Sequence, residues 1–178
     1  GYSHFLEHLL FQGSEKLCPG EINSRFSQMG GHINALTGPE EMGLYSLAPS
    51  QRWKDVMELF EQALFFPKLE SEYLEKELQV ILEEKREREN SPLIIYHEKM
   101  MKGIFGDSVF GRPLIGSEAA LRQITSGSLR KFYQKILAKG NLCIILTGHF
   151  PYFDAVRELE KRFGNKDLGE KLPDIKES

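Results

Sequence analysis

His4 and His8 stand at i and i+4 in a stretch where Phe5, Leu6, Leu9, Leu10 and Phe11 recur with helical spacing. Glu7 lies three residues after the first histidine, so on a helix all three side chains share one face. Two imidazoles one turn apart can close on a single metal ion, and neutral imidazole nitrogen suits zinc. A carboxylate beside such a pair can act as the base that takes a proton from water polarised by the metal. The order His-x-x-Glu-His inverts the His-Glu-x-x-His arrangement that places two zinc ligands and a base on one helix. The other reading of the same residues is two helix-surface histidines with a salt-bridging glutamate. The apolar neighbours argue against it, because they set the motif against a core, where histidines need partners.

Catalytic zinc takes three protein ligands and keeps a fourth position for water, so a further donor must come from elsewhere in the chain. Residues 70–90 supply candidates. Twelve of these 21 residues are charged, so most of this long periodic stretch must face water. Glu77 and Glu84 are seven residues apart and project within about 20° of each other on a helix. They lie in line with Leu74, Leu78 and Ile81. Acids on a core-facing stripe are costly unless they meet a cation or hydrogen-bond donors. A metal would resolve that conflict, and so would pairing with Lys76 or Arg88 at the edge of the stripe. Glu83 lies one step, about 100°, away from the Glu77 face.

The elements that must position these groups can be read from periodicity and punctuation. Helices are expected at Ser3–Gln12, with Ser3 as N-cap and Gly13 as the stop, and at Gly20–Met29. Strands His32–Thr37 and Met42–Ala48 flank the turn-forming Gly38-Pro39-Glu40-Glu41. Helices follow at Gln51–Phe65, Glu70–Asn90, Ile94–Ile104, Ser117–Ile124 and Ser126–Ile136. Asn141–Thr147 is a continuous apolar run, expected as a buried strand, and a last helix covers Phe153–Phe163. Helices thus dominate over three strands.

The 178 residues are 40% hydrophobic and 28% charged, which excludes disordered, collagen-like and coiled-coil classes. A net charge of −3 lacks the footprint of a nucleic-acid binder. Cys18 and Cys143 form neither a disulfide framework nor a metal-type pair, and both read as ordinary thiols. No apolar run approaches the ~18 residues of a membrane span. Nothing selects a compartment: bacterial cytoplasm, periplasm and organelle all fit.

The run from His4 through Phe5-Leu6-Glu7 to His8, continuing to Gly13-Ser14, closely resembles the opening helix of the insulinase, pitrilysin and mitochondrial processing peptidase family. Further motifs follow in family order. They are Asn34-Ala35-x-Thr37, Glu77-x-x-Val80 to Glu84, Phe110 to Gly116 through Gly111-Arg112-Pro113, and Asn141 to Gly148 followed by a helix. Together they span nearly the whole chain.

The resemblance implies an α+β, two-layer fold with a mostly antiparallel sheet packed against helices, as in mitochondrial processing peptidase-like metallohydrolases. It implies that His4, His8 and Glu84 bind Zn²⁺, that Glu7 is the general base, and that Glu77 orients His4 or His8 through the ring nitrogen not on the metal. Asn34 and Ala35 would lie on an edge strand to which an extended peptide adds, Asn34 helping to orient the scissile bond. Residues 1–170 would form an N-terminal zinc-peptidase domain lacking the strands that precede the zinc helix in the family, and 171–178 would begin a linker. The implied activity is zinc-dependent endopeptidase action on peptides or unfolded polypeptide segments. A second homologous half, on the same chain or a partner subunit, would be required, leaving this piece alone weak or inactive. The family also contains non-catalytic structural or partner subunits, which typically lose motif residues, whereas His4, Glu7, His8 and Glu84 are all present here. A zinc-dependent hydrolase or lyase acting on small molecules is a third reading, against which the Asn34-Ala35 strand argues.

Overall fold

A computed structural model describes residues 1–138, 140–164, 166 and 168. The site-bearing motif forms α1 (Tyr2–Leu10), followed by α2 (Glu21–Gln28). β1 (His32–Thr37) and β2 (Met42–Leu47) pair antiparallel, with Asn34 opposite Tyr45 and Ala35 opposite Leu44. A 3₁₀ turn over Ser50–Arg52 leads into α3 (Trp53–Phe65). Then come α4 (Ser71–Glu89), α5 (Pro92–Phe105), the single turn α6 (Glu118–Leu121), α7 (Ser126–Ile136) and α8 (Tyr152–Leu159), which ends in a π-type turn over Glu160–Gly164. The result is the expected mixed α+β arrangement, with helices packed around a small antiparallel sheet. The expected linker, 171–178, lies outside the described residues.

α1 is short but almost wholly committed to the core. Phe5, Leu6, Leu9 and Leu10 are buried against Leu74, Ile81 and Leu82 of α4, Leu121 of α6 and Leu129 of α7. Nine residues would not hold a helix in water by themselves, so tertiary packing of this apolar face supplies its stability. A second cluster, Leu17, Ile22, Phe26, Val56, Leu59 and Ala63, joins α2 to α3, and Leu44 of β2 packs against both clusters. The hairpin is thereby fixed beside α1.

Three expectations need correction. α1 begins at Tyr2 with Gly1 at its N-cap, so Ser3 lies inside the helix and does not cap it. Ser117–Ile124 keeps only one α-helical turn, capped by the Ser117 hydroxyl accepting from Ala120 N–H. Asn141–Thr147 is not a strand: among the described residues nothing pairs with it, and Ile145 is 82% exposed. An apolar run becomes a buried strand only when a neighbour answers its backbone N–H and C=O groups. The described sheet stops at two strands, so Leu142 and Leu146 instead pack on a third cluster around Met57, Ala155 and Phe163.

The chain leaves α1 through Gly13, which adopts φ +117°, where a Cβ would lie 2.6 Å from the Leu17 carbonyl oxygen. Both the conformation and the space exclude a side chain. Gly13→Ala should therefore lower stability by about 1–3 kcal/mol in chemical denaturation, and an unchanged midpoint would contradict this role for the turn.

Candidate metal centre

The contact between α1 and α4 decides where the polar groups meet. The buried faces of the two helices interlock through Leu6, Leu9, Leu74 and Ile81, and the polar edge of α1 is thereby set against the Glu77–Glu84 line of α4. Glu84 Oε2 lies 3.3 Å from His4 Nε2 and 3.5 Å from His8 Nε2. Donors held about 2.0–2.1 Å from a tetrahedral ion are themselves about 3.3–3.4 Å apart. One donor atom from each of His4, His8 and Glu84 falls within 4.8 Å of the other two. Two neutral nitrogens and one carboxylate oxygen at this spacing fit zinc in donor type and in size.

Glu77 reaches the other side of His8. Its Oε2 lies 3.1 Å from His8 Nδ1, and its Oε1 accepts a 2.6 Å hydrogen bond from the Gln12 side-chain amide. Of the two histidines, His8 is therefore the one within hydrogen-bond distance of Glu77, while His4 Nδ1 is buried without a partner among the described residues. The Lys76 alternative does not occur, because Lys76 pairs with Glu72 at 2.7 Å. Arg88 lies 3.7 Å from Glu84 Oε1 and the same distance from Glu98, leaving Glu84 Oε2 directed at the histidines. Glu83 points to solvent and pairs with Arg86.

Glu7 accepts a short hydrogen bond from the Thr37 hydroxyl at the end of β1. Its charge raises the proton affinity of both imidazoles, so it sits within electrostatic reach of each. Asn34 and Ala35 lie on the same strand, with Ala35 facing inward like Thr37 and Asn34 exposed. Ala35 N–H is answered by Asn34 Oδ1 and not by β2. Gly38 N–H does reach across the hairpin, to Glu41 O. Antiparallel alternation then turns the Ile33, Ala35 and Thr37 amides to the open edge of β1. Spacing alone points to the histidines and acids but assigns no role to Gln12 or Thr37. The signals were there: Gln12 is one further turn beyond His8, and Thr37 shares the parity of Ala35 on the strand.

The metal-free electrostatics separate the two imidazoles. Burial first, then the neighbouring His8 and Arg88 charges, lower the pKa of His4 to about 4. Burial also acts downward on His8, but the Glu77 hydrogen bond and the charges of Glu77, Glu84 and Glu7 together raise it above its ordinary value.

The profile described as Insulinase (Peptidase family M16) matches residues 1–118. An uncharacterized zinc protease of Rickettsia bellii is 29% identical over 171 residues, covering 96% of this chain and 42% of that protein. The mitochondrial-processing peptidase subunit beta of Dictyostelium discoideum is 24% identical over 177 residues, covering 99% of this chain and 38% of that one. The crystal structure of a protease from Helicobacter pylori superposes with a TM-score of 0.85 at 22% identity, covering 99% of this chain and 43% of that structure. The chain thus spans less than half the length of the curated relatives it matches.

An NMR titration of the metal-free chain should find His4 neutral down to about pH 4 while His8 titrates above its ordinary value of 6.5. Protonation of His4 opposes folding as pH falls from 6.5 toward 4, whereas the His8 contribution is fully present below 6.5 and is lost as pH rises through its raised pKa. Two histidines titrating together near 6.5 would contradict the environments described.

Proposed function

This chain belongs to the insulinase family, peptidase family M16, and on that premise we propose that it is the zinc-holding part of a metalloendopeptidase acting on peptides or unfolded polypeptide segments. The observation that carries the reading is the convergence of His4 Nε2, His8 Nε2 and Glu84 Oε2 on one point with the Glu7 carboxylate beside them. His4, His8 and Glu84 are the ligands in this reading. Bound zinc supplies a Lewis acid that polarises the scissile carbonyl and lowers the pKa of water toward neutrality.

The chain's own groups do the rest. Glu7 takes a proton from the attacking water and returns it to the departing amine, with no covalent bond between enzyme and substrate. The Thr37 hydroxyl donates to one Glu7 oxygen, fixing the carboxylate and leaving the other oxygen for the proton. An extended peptide adds along the open edge of β1, where the Ile33, Ala35 and Thr37 amides face outward. Thr37 joins that edge to Glu7, so a segment paired there runs past the base. Asn34 Oδ1 holds the Ala35 N–H and must release it when a substrate carbonyl takes its place, which leaves the Asn34 amide next to the scissile bond. A second homologous half, in the same polypeptide or on a partner subunit, completes the enclosure, so the chain alone is expected to hydrolyse peptides feebly.

In the full-length protein, Glu7→Gln should retain zinc yet lose at least about a hundredfold in peptide hydrolysis, whereas His8→Ala should lose the zinc itself. Undiminished hydrolysis by the Glu7→Gln protein would refute the assignment of the base. Zinc retained at full stoichiometry by the His8→Ala protein would refute the ligand set. Zinc held by a wild-type full-length protein that cleaves no peptide would favour the non-catalytic subunit instead.

A further inference from the structure

Glu77 is the only buried charged side chain among the described residues, at 7% exposure. A carboxylate in that position needs a donor on each oxygen. Its Oε2 meets His8 Nδ1, and its Oε1 meets the Gln12 amide at 2.6 Å. A carboxylate already engaged by an imidazole N–H offers only acceptors, so Gln12 must turn its NH₂ group, not its carbonyl oxygen, toward it. Gln12 lies one turn past His8 at the exit of α1, where Gly13 redirects the chain, and the backbone itself fixes its reach.

We infer that Gln12 is a positioning residue for the metal centre: its amide holds Glu77 where that carboxylate receives the Nδ1–H of His8, which leaves the lone pair of His8 Nε2 for the metal. The inference rests on the zinc reading above. It also makes the two imidazoles unequal, because among the described residues His4 Nδ1 has no such partner and only His8 is held through a relay. Removing Gln12 leaves Glu77 Oε1 buried without a donor, and the carboxylate is then free to rotate, loosening the hold on His8.

The test is zinc affinity of the full-length protein by chelator competition, for the wild type, Gln12→Leu, Glu77→Leu and the double variant, with the melting temperature of each metal-free form measured beside it. Loss of a carboxylate bonded directly to a ligating histidine weakens metal binding about 10–100-fold, so Gln12→Leu, one bond further out, should weaken it about 5–10-fold. Added to Glu77→Leu, which has neither acceptor nor donor, the same substitution should weaken zinc no further, since the relay is already cut. Gln12→Lys keeps a donor of similar reach and should bind within about twofold of wild type. Gln12→Met serves the same comparison where the leucine variant does not fold. Wild-type zinc affinity in a folded Gln12→Leu or Gln12→Met protein would overturn the inference while leaving the metal centre intact. An equal weakening in the Glu77→Leu background would also overturn it, by showing that Gln12 does not act through Glu77. Failure of the wild-type protein to take up zinc would overturn the metal reading and this inference with it.

Discussion

The centre depends on one packing contact, the burial of α1 against α4. Neither helix carries a complete donor set: α1 brings two imidazoles and Glu7, and α4 brings Glu77 and Glu84. The side chains that press the helices together, Leu6, Leu9, Leu74 and Ile81, alternate with the polar ones at helical spacing, so one rotational setting buries the first group and joins the second. A turn of either helix about its own axis would expose leucines and separate His4 from Glu84 together. Core packing and site geometry are the same constraint here, which explains why a helix of nine residues can hold two donors in fixed relation.

That packing has an electrostatic consequence. Glu7, Glu77 and Glu84 crowd around two histidines, with the Arg88 guanidinium 3.7 Å from Glu84 as a balancing charge. Carboxylates gathered in this way repel one another unless a cation lies among them. Their hydrogen bonds divide the roles: Glu77 is occupied on both oxygens by His8 and Gln12, and Glu7 is held by Thr37. Glu84 alone turns an oxygen toward both imidazole Nε2 atoms. The two acids that look alike on the α4 stripe are thus distinguished by what each one touches.

The sequence carried the helices and the acids well because both obey the 3.6-residue period. Every long helix falls near its expected place, and the seven-residue step from Glu77 to Glu84 is a direct statement about one face of α4. Periodicity says nothing about which side chain across a helix interface answers which, so Gln12 and Thr37 had no assigned part until β1 and α4 were placed beside α1. The same limit explains Asn141–Thr147. Its Leu142-Cys143-Ile144-Ile145-Leu146 run is apolar enough for a buried strand, but strand formation depends on a partner outside the run. Local composition also points to Ser3 as the N-cap, whereas the helix already includes it.

The most direct test of the centre is zinc stoichiometry of the purified, folded full-length protein by elemental analysis, comparing wild type with Glu84→Ala and Glu83→Ala. The proposed ligand set predicts about one zinc per chain in the wild type and in Glu83→Ala, whose side chain points to solvent, and loss or marked weakening in Glu84→Ala. Zinc lost equally from both variants, kept by both, or absent from the folded wild-type protein would contradict a centre built from His4, His8 and Glu84.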